Sequence, residues 1–212
     1  MSAGFITTWA SLGTLTGAAV AVCYLRHAPL ALPVLRAVRL AATLLTALAF
    51  GGLAWRFGYE FDLLPYSVIA GLGVMLGLID LVEHRLPRVL VYSGVILVGA
   101  LLATSAILDS RESDFLRALA GMAIIFVFYL ILALASGGGL GAGDVKLGGL
   151  LGLALGWLSW TALITATFLG WIAAALAWLV LRAVWRRPRD SPLPMGPFLV
   201  LGTLVTVIVA PA

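Results

Sequence analysis

Apolar stretches about 20 residues long recur along the whole chain, and that recurrence limits what it can become. A bilayer core is about 30 Å thick and takes about 20 apolar residues per helix. No water is available there to satisfy backbone polar groups, so segments of this length must cross as helices. Of 212 residues, 63% are hydrophobic and 10% are charged. A soluble domain of that size needs far more polar surface. The pattern predicts an all-α, polytopic transmembrane helical bundle, one integral membrane domain over residues 1–212 with the lipid bilayer as its solvent.

Eight spans follow from the pattern, at about 5–25, 37–55, 63–82, 89–108, 115–135, 145–157, 160–181 and 195–211. The sixth is short, which is tolerated where a helix is enclosed by protein. GWLSW at 156–160 is the expected turn between the sixth and seventh, and a count of seven also fits the hydropathy. The first segment lacks a basic n-region and its apolar run exceeds a typical h-region, so it reads as a retained span.

Charge tests this layout separately. With the N-terminus outside, the inward segments carry Arg26, Arg36, Arg39, Arg85, Arg88, Lys146, Arg182, Arg186, Arg187 and Arg189. The outward ones carry Arg56, Arg111 and Arg117, so the split is ten to three. That is the positive-inside asymmetry, and it accounts for the net charge of +4 without a nucleic-acid partner. The outer acids Glu60, Asp62, Asp109, Glu112 and Asp114 decide little about topology. Cys23 is the single cysteine, so it cannot form an internal disulfide, and no CxxC pair offers a zinc site. Neither a metal nor a cofactor is expected.

Two further acids fall on one side of this layout. Asp80 ends the third span, after GLGVMLGLI, and Asp144 opens the sixth, within SGGGLGAGDVK at 136–146. A carboxylate inside a span costs about 2.5–3.5 kcal/mol at the bilayer centre and usually faces the protein interior. Read singly, Asp80 also fits an acid marking a helix end. Asp144 also fits an acid near a helix N-terminus after a flexible loop. Gly137, Gly138, Gly139, Gly141 and Gly143 argue against a regular helix there and allow close backbone approach.

Helical spacing links the two acids. Asp144, Gly148, Gly152 and Gly156 recur every four residues, and Gly73, Gly77 and Asp80 share one face of the third span. Glycine stripes allow close helix packing in membranes, so spans three and six are expected to pack on each other and bring the acids together. Two adjoining carboxylates cannot both ionise comfortably; one becomes a base while the other holds a proton. The base activates water against a peptide carbonyl, and the acid protonates the leaving amine.

GAGDVK at 141–146 resembles the GxGDxK signature of type IV prepilin peptidases, members of the GxGD aspartyl proteases. IDLVEHRLP at 79–87 is similar to the segment of their first aspartate, and LPMGPFLVLG at 193–202 to the opening of their final helix. The resemblance covers about residues 63–211. It implies an aspartic endopeptidase of the prokaryotic cytoplasmic membrane that removes the basic leader of a prepilin or pseudopilin precursor at the cytosolic face. Asp80 and Asp144 would be the catalytic pair. Gly141, Gly143 and Lys146 take the motif's backbone and basic positions. Arg88 stands where many members carry Asp or Asn. The segment 26–39 lacks the cysteines of the insertion linked to N-methylation, so methyltransferase activity is not expected.

Lys146 could steady Asp144, meet substrate, or simply obey topology. Glu83 could attract a basic leader, whereas Glu83 and His84 lack the further ligands a metal needs. His27 and His84 read as solvated loop residues, and Trp55, Trp157, Trp160 and Trp185 as an aromatic belt. Two alternatives remain open on the residues. A presenilin-like or signal-peptide-peptidase-like protease shares GxGD, but this chain has Ile79-Asp80 and Pro194-Met195-Gly196-Pro197 in place of that group's motifs. A proton-coupled transporter would place its acids nearer the midplane.

Overall fold

The computed structural model describes residues 2–24, 31–136, 140–185 and 194–210. Eight helices follow one another there: α1 (Ala3–Tyr24), α2 (Leu32–Phe57), α3 (Leu63–Glu83), α4 (Arg88–Leu108), α5 (Glu112–Ala135), α6 (Ala142–Leu158), α7 (Trp160–Trp185) and α8 (Gly196–Val209). Among the described residues, six are long and apolar enough to cross a membrane, and α8 is a shorter apolar helix. The chain is therefore an all-α, multi-pass membrane protein. Arg26, His27, Gly137, Gly138, Gly139, Arg186, Arg187 and Arg189 lie outside the described residues.

Helix ends differ from the sequence expectation where a local residue sets them. Pro33 supplies a pre-set φ in the first turn of α2, so that helix begins at Leu32 and takes in Arg36 and Arg39. The expected turn at 156–160 shrinks to Ser159, whose extended backbone separates α6 from α7. His84 ends α3 in the left-handed conformation (φ 51°, ψ 36°), and its N–H still closes onto the Asp80 carbonyl at 2.9 Å. Pro87, extended, then starts α4.

Consecutive helices pair as hairpins, α1 with α2, α5 with α6 and α7 with α8, while α3 packs on α2, α4 and α8. The core lies around α3 and α6. Every residue of α6 from Leu147 to Trp157 is buried, as expected for a helix apolar on all sides. The faces of α5 and α7 turned outward carry exposed Ile, Leu, Phe and Trp side chains that lipid would cover.

The expected packing of α3 on α6 through their glycine stripes is not what forms. A Cβ on Gly152 would stand 2.6 Å from the Gly121 carbonyl oxygen, and one on Gly156 2.8 Å from the Arg117 carbonyl oxygen, both on α5. Gly73 faces Val200 and Gly77 faces Pro197, both on α8. A glycine face is a groove, and it accepts whichever helix offers matching relief. Here α5 fills the groove of α6, and α8 fills that of α3.

Candidate active site

The two acids nevertheless end up as neighbours. Asp80 lies near the end of α3 and is 6% exposed, while Asp144 lies in the first turn of α6 and is 8% exposed. Leu86, in the turn that follows Asp80, packs on Gly143, the residue before Asp144, so the two acids share one end of the bundle. A buried carboxylate needs compensation, and each receives it from a helix N-terminus. Asp80 Oδ2 accepts the N–H of Gly196, the first residue of α8, at 3.0 Å. Asp144 sits in the positive end of its own helix, with Oδ2 beside Gly141, where a Cβ would be 3.3 Å away. Its Oδ1 is buried with no hydrogen-bond partner among the described residues, leaving an acceptor that a reacting water or substrate can use.

The glycines here act differently from the expectation of an irregular segment. Gly141 is extended at the helix cap, but Gly143 is inside α6, which begins at Ala142 and not near residue 145. Gly143 is needed for room, because a Cβ there would stand 2.9 Å from Leu86 Cβ. The left-handed turn at His84 carries Leu86 onto that spot, so the α3–α4 turn and the α6 start close together around the acids.

Other expected participants lie at the edge. The Lys146 ammonium sits 5.5 Å from the centre of the Tyr92 ring on α4, a cation–π contact. Glu83 is 3.6 Å from Arg85, in a pair whose arginine is 81% exposed. Among the described residues, no three His, Cys, Asp or Glu side chains gather in a metal-binding arrangement.

The amide of Gly196 was not anticipated as part of the site. The only sequence signal was the helix-opening run Gly196-Pro197, which placed a helix start near the acid end without naming its target. Gly196 itself is fixed by space, since a Cβ would approach Asp80 Oδ2 to 2.8 Å.

Residues 67–180, more than half of the chain and including both acids, match the type IV leader peptidase family. The chain belongs to that family. As a type IV leader peptidase family member it is 30% identical over 169 residues to the prepilin leader peptidase/N-methyltransferase of Bacillus subtilis, covering 79% of this chain and 64% of that one. To the protein of the same name from Pseudomonas aeruginosa it is 26% identical over 171 residues, covering 78% and 56%. A third, from Legionella pneumophila, is 28% identical over 158 residues, covering 73% and 53%. The chain thus spans less than two thirds of the length of these curated relatives. No solved structure matches it. The family match ends before α8, so the Gly196 contact to Asp80 lies beyond the matched stretch of this leader peptidase family member.

Proposed function

We propose that this family member is a membrane aspartyl endopeptidase that removes the basic leader of type IV pilin-like precursors, with Asp80 and Asp144 as its catalytic pair. The observation that carries the reading is a pair of buried carboxylates from distant parts of the chain at one end of the bundle, each beside a helix N-terminus. One carboxylate, ionised, takes a proton from water as the water oxygen attacks the scissile carbonyl carbon. The other, protonated, gives its proton to the amide nitrogen as the C–N bond breaks. A carboxylate product and a free amine result, and the pair exchanges roles to reset.

The curated relatives carry prepilin leader peptidase in their names, which supports precursors of this kind as substrates here. With the N-terminus outside, the ends of α3 and α6 that hold the acids face the cytosol, where arginine and lysine concentrate. The membrane is then the prokaryotic cytoplasmic membrane. Gly141 keeps the backbone beside Asp144 bare, Gly143 makes room for Leu86, Lys146 lies two residues beyond Asp144 on another face of α6, and Glu83 offers a negative charge to the leader. Family membership favours this reading over a presenilin-like protease or a proton-coupled transporter.

The test is cleavage of a pilin-like precursor by purified protein in proteoliposomes. Wild type is expected to release the leader, whereas Asp80→Asn and Asp144→Asn each abolish release while keeping wild-type helical content. Cleavage surviving in either folded variant removes that residue from the pair.

A further inference from the structure

The two helices that carry the acids are joined to each other far from the acids. The Tyr66 hydroxyl on α3 donates to the Ala154 carbonyl on α6 at 2.7 Å, and the Trp157 indole N–H on α6 donates to Asp62 Oδ2 at 2.9 Å. Asp62 stands immediately before α3 but does not cap it; its carboxylate is turned to α6 instead. Both donors are fully enclosed, with Tyr66 1% and Trp157 0% exposed. Trp157 was expected in an aromatic belt at the membrane surface and is instead a core residue.

Charge is gathered around this junction. Arg111 donates to the same Asp62 Oδ2 at 2.9 Å and lies 4.4 Å from the Trp157 ring centre, while Ser105 donates to Asp62 Oδ1 at 2.8 Å. Arg111 also meets Asp114, which meets Arg117 at 2.9 Å. Arg117 then closes the end of α6 by donating to the Gly156, Trp157 and Leu158 carbonyls. Asp62 therefore does more than mark an outer loop. It is a buried carboxylate with three donors among the described residues.

Distance makes the junction relevant to the acids. Tyr66 precedes Asp80 by 14 residues and Ala154 follows Asp144 by 10, which is about 21 and 15 Å of helix at 1.5 Å per residue. Over that length, the glycine face of α3 is occupied by α8 and that of α6 by α5. Direct contact between α3 and α6 is sparse beside the α5–α6 pairing, and among the described residues these two directional bonds tie them at the end away from the acids.

We infer that Tyr66, Asp62 and Trp157 are positioning residues: they clamp α3 to α6 and thereby set the separation of Asp80 and Asp144. The inference rests on the acid-pair reading above. A clamp of this kind acts on the chemical step and leaves substrate binding alone, because it never meets the precursor.

Tyr66→Phe and Trp157→Phe each remove one donor and keep a ring. Thr46→Ala removes an equally buried hydroxyl bond within α2, to the Ala42 carbonyl at 2.8 Å, that does not join α3 to α6, and serves as the matched destabilising control. In proteoliposome cleavage assays, the two ring variants are expected to lose kcat about tenfold to a hundredfold with KM unchanged. Thr46→Ala is expected to lower the unfolding temperature while kcat stays near wild type. Equal kcat losses in all three, or a loss seen only in KM, would overturn the clamp. A second readout is independent of activity. Spin labels at Leu81→Cys and Ala142→Cys, in a Cys23→Ser background, report the α3–α6 separation at the acid end. The distance distribution is expected to shift or broaden in Tyr66→Phe and Trp157→Phe but not in Thr46→Ala. Unchanged distributions in the ring variants would sink the inference even if the cleavage reaction itself proved to be another one.

Discussion

Gly196 holds Asp80 from above: its N–H donates to Asp80 Oδ2 at 3.0 Å, and a methyl group in its place would meet that same oxygen at 2.8 Å. The contact is both a hydrogen bond and a steric limit, so the first turn of α8 fixes where the carboxylate lies. Gly196→Ala should displace Asp80 and lower cleavage about a hundredfold. The overpacking cost to the fold should stay within about 1–3 kcal/mol. Initial rates and thermal unfolding of the purified variant, measured side by side, check both halves.

Close approach of α5 and α6 predicts an asymmetric glycine scan. At Gly152 the added methyl would lie 2.6 Å from a carbonyl oxygen and 3.0 Å from Ile125 Cβ, so backbones must part. Gly152→Ala should destabilise by about 1–3 kcal/mol. At Gly71 the nearest atom would be Thr16 Cγ2 at 3.6 Å, an ordinary contact. Gly71→Ala should be neutral or stabilise by up to about 1 kcal/mol, because alanine restricts the unfolded chain and favours helix. Unfolding in mild detergent, followed by circular dichroism, separates the two.

Arg117 is the cap of α6. Replacing it with methionine keeps the aliphatic stem but leaves three carbonyls without their cationic donor and Asp114 with Arg111 alone. A loss of about 3 kcal/mol is expected, in the range for breaking a partly buried charged hydrogen-bond group. Arg117→Lys should recover only part of it, since an ammonium cannot reach three carbonyls with the planar fork of a guanidinium. The unfolding temperatures of the two variants decide this.

Glu83 makes only a loose surface pair with Arg85, at 3.6 Å. Such pairs contribute about 0–1 kcal/mol, so Glu83→Gln should leave stability unchanged. If Glu83 attracts the leader, the variant should raise KM for a basic precursor about threefold at low salt, with the difference fading as salt screens it. A KM insensitive to both the substitution and the salt would remove Glu83 from leader recognition.

The sequence made the placement of Asp80 and Asp144 readable because span parity depends only on counting apolar stretches. Each stretch reverses direction, so two acids at a third end and a sixth start fall on one side. Their mutual approach was also expected, yet for the wrong reason. Gly73, Gly77, Gly148 and Gly152 announce that some backbone comes close, but a missing side chain carries no information about which helix fills the gap. In the structure those neighbours are α8 and α5. Trp157 shows a related ambiguity. A tryptophan at a span end suits the interface equally well as a buried donor, and only the three-dimensional arrival of Asp62 from 95 residues earlier distinguishes the two. The Gly196 amide was hidden because a backbone N–H has no sequence signature of its target.

The helices that open beside the acids are short, with 17 residues in α6 and 14 in α8. At about 1.5 Å per residue they rise only about 25 and 21 Å, against a hydrocarbon thickness of about 30 Å. Thinning of the lipid beside α8 is one way a bilayer accommodates so short a helix, and it would draw the headgroup layer toward Asp80. Water would then come to the carboxylates through a dimple in one leaflet, with no pore required. A bilayer of longer acyl chains would flatten that dimple, making membrane thickness itself a control on how wet the site is.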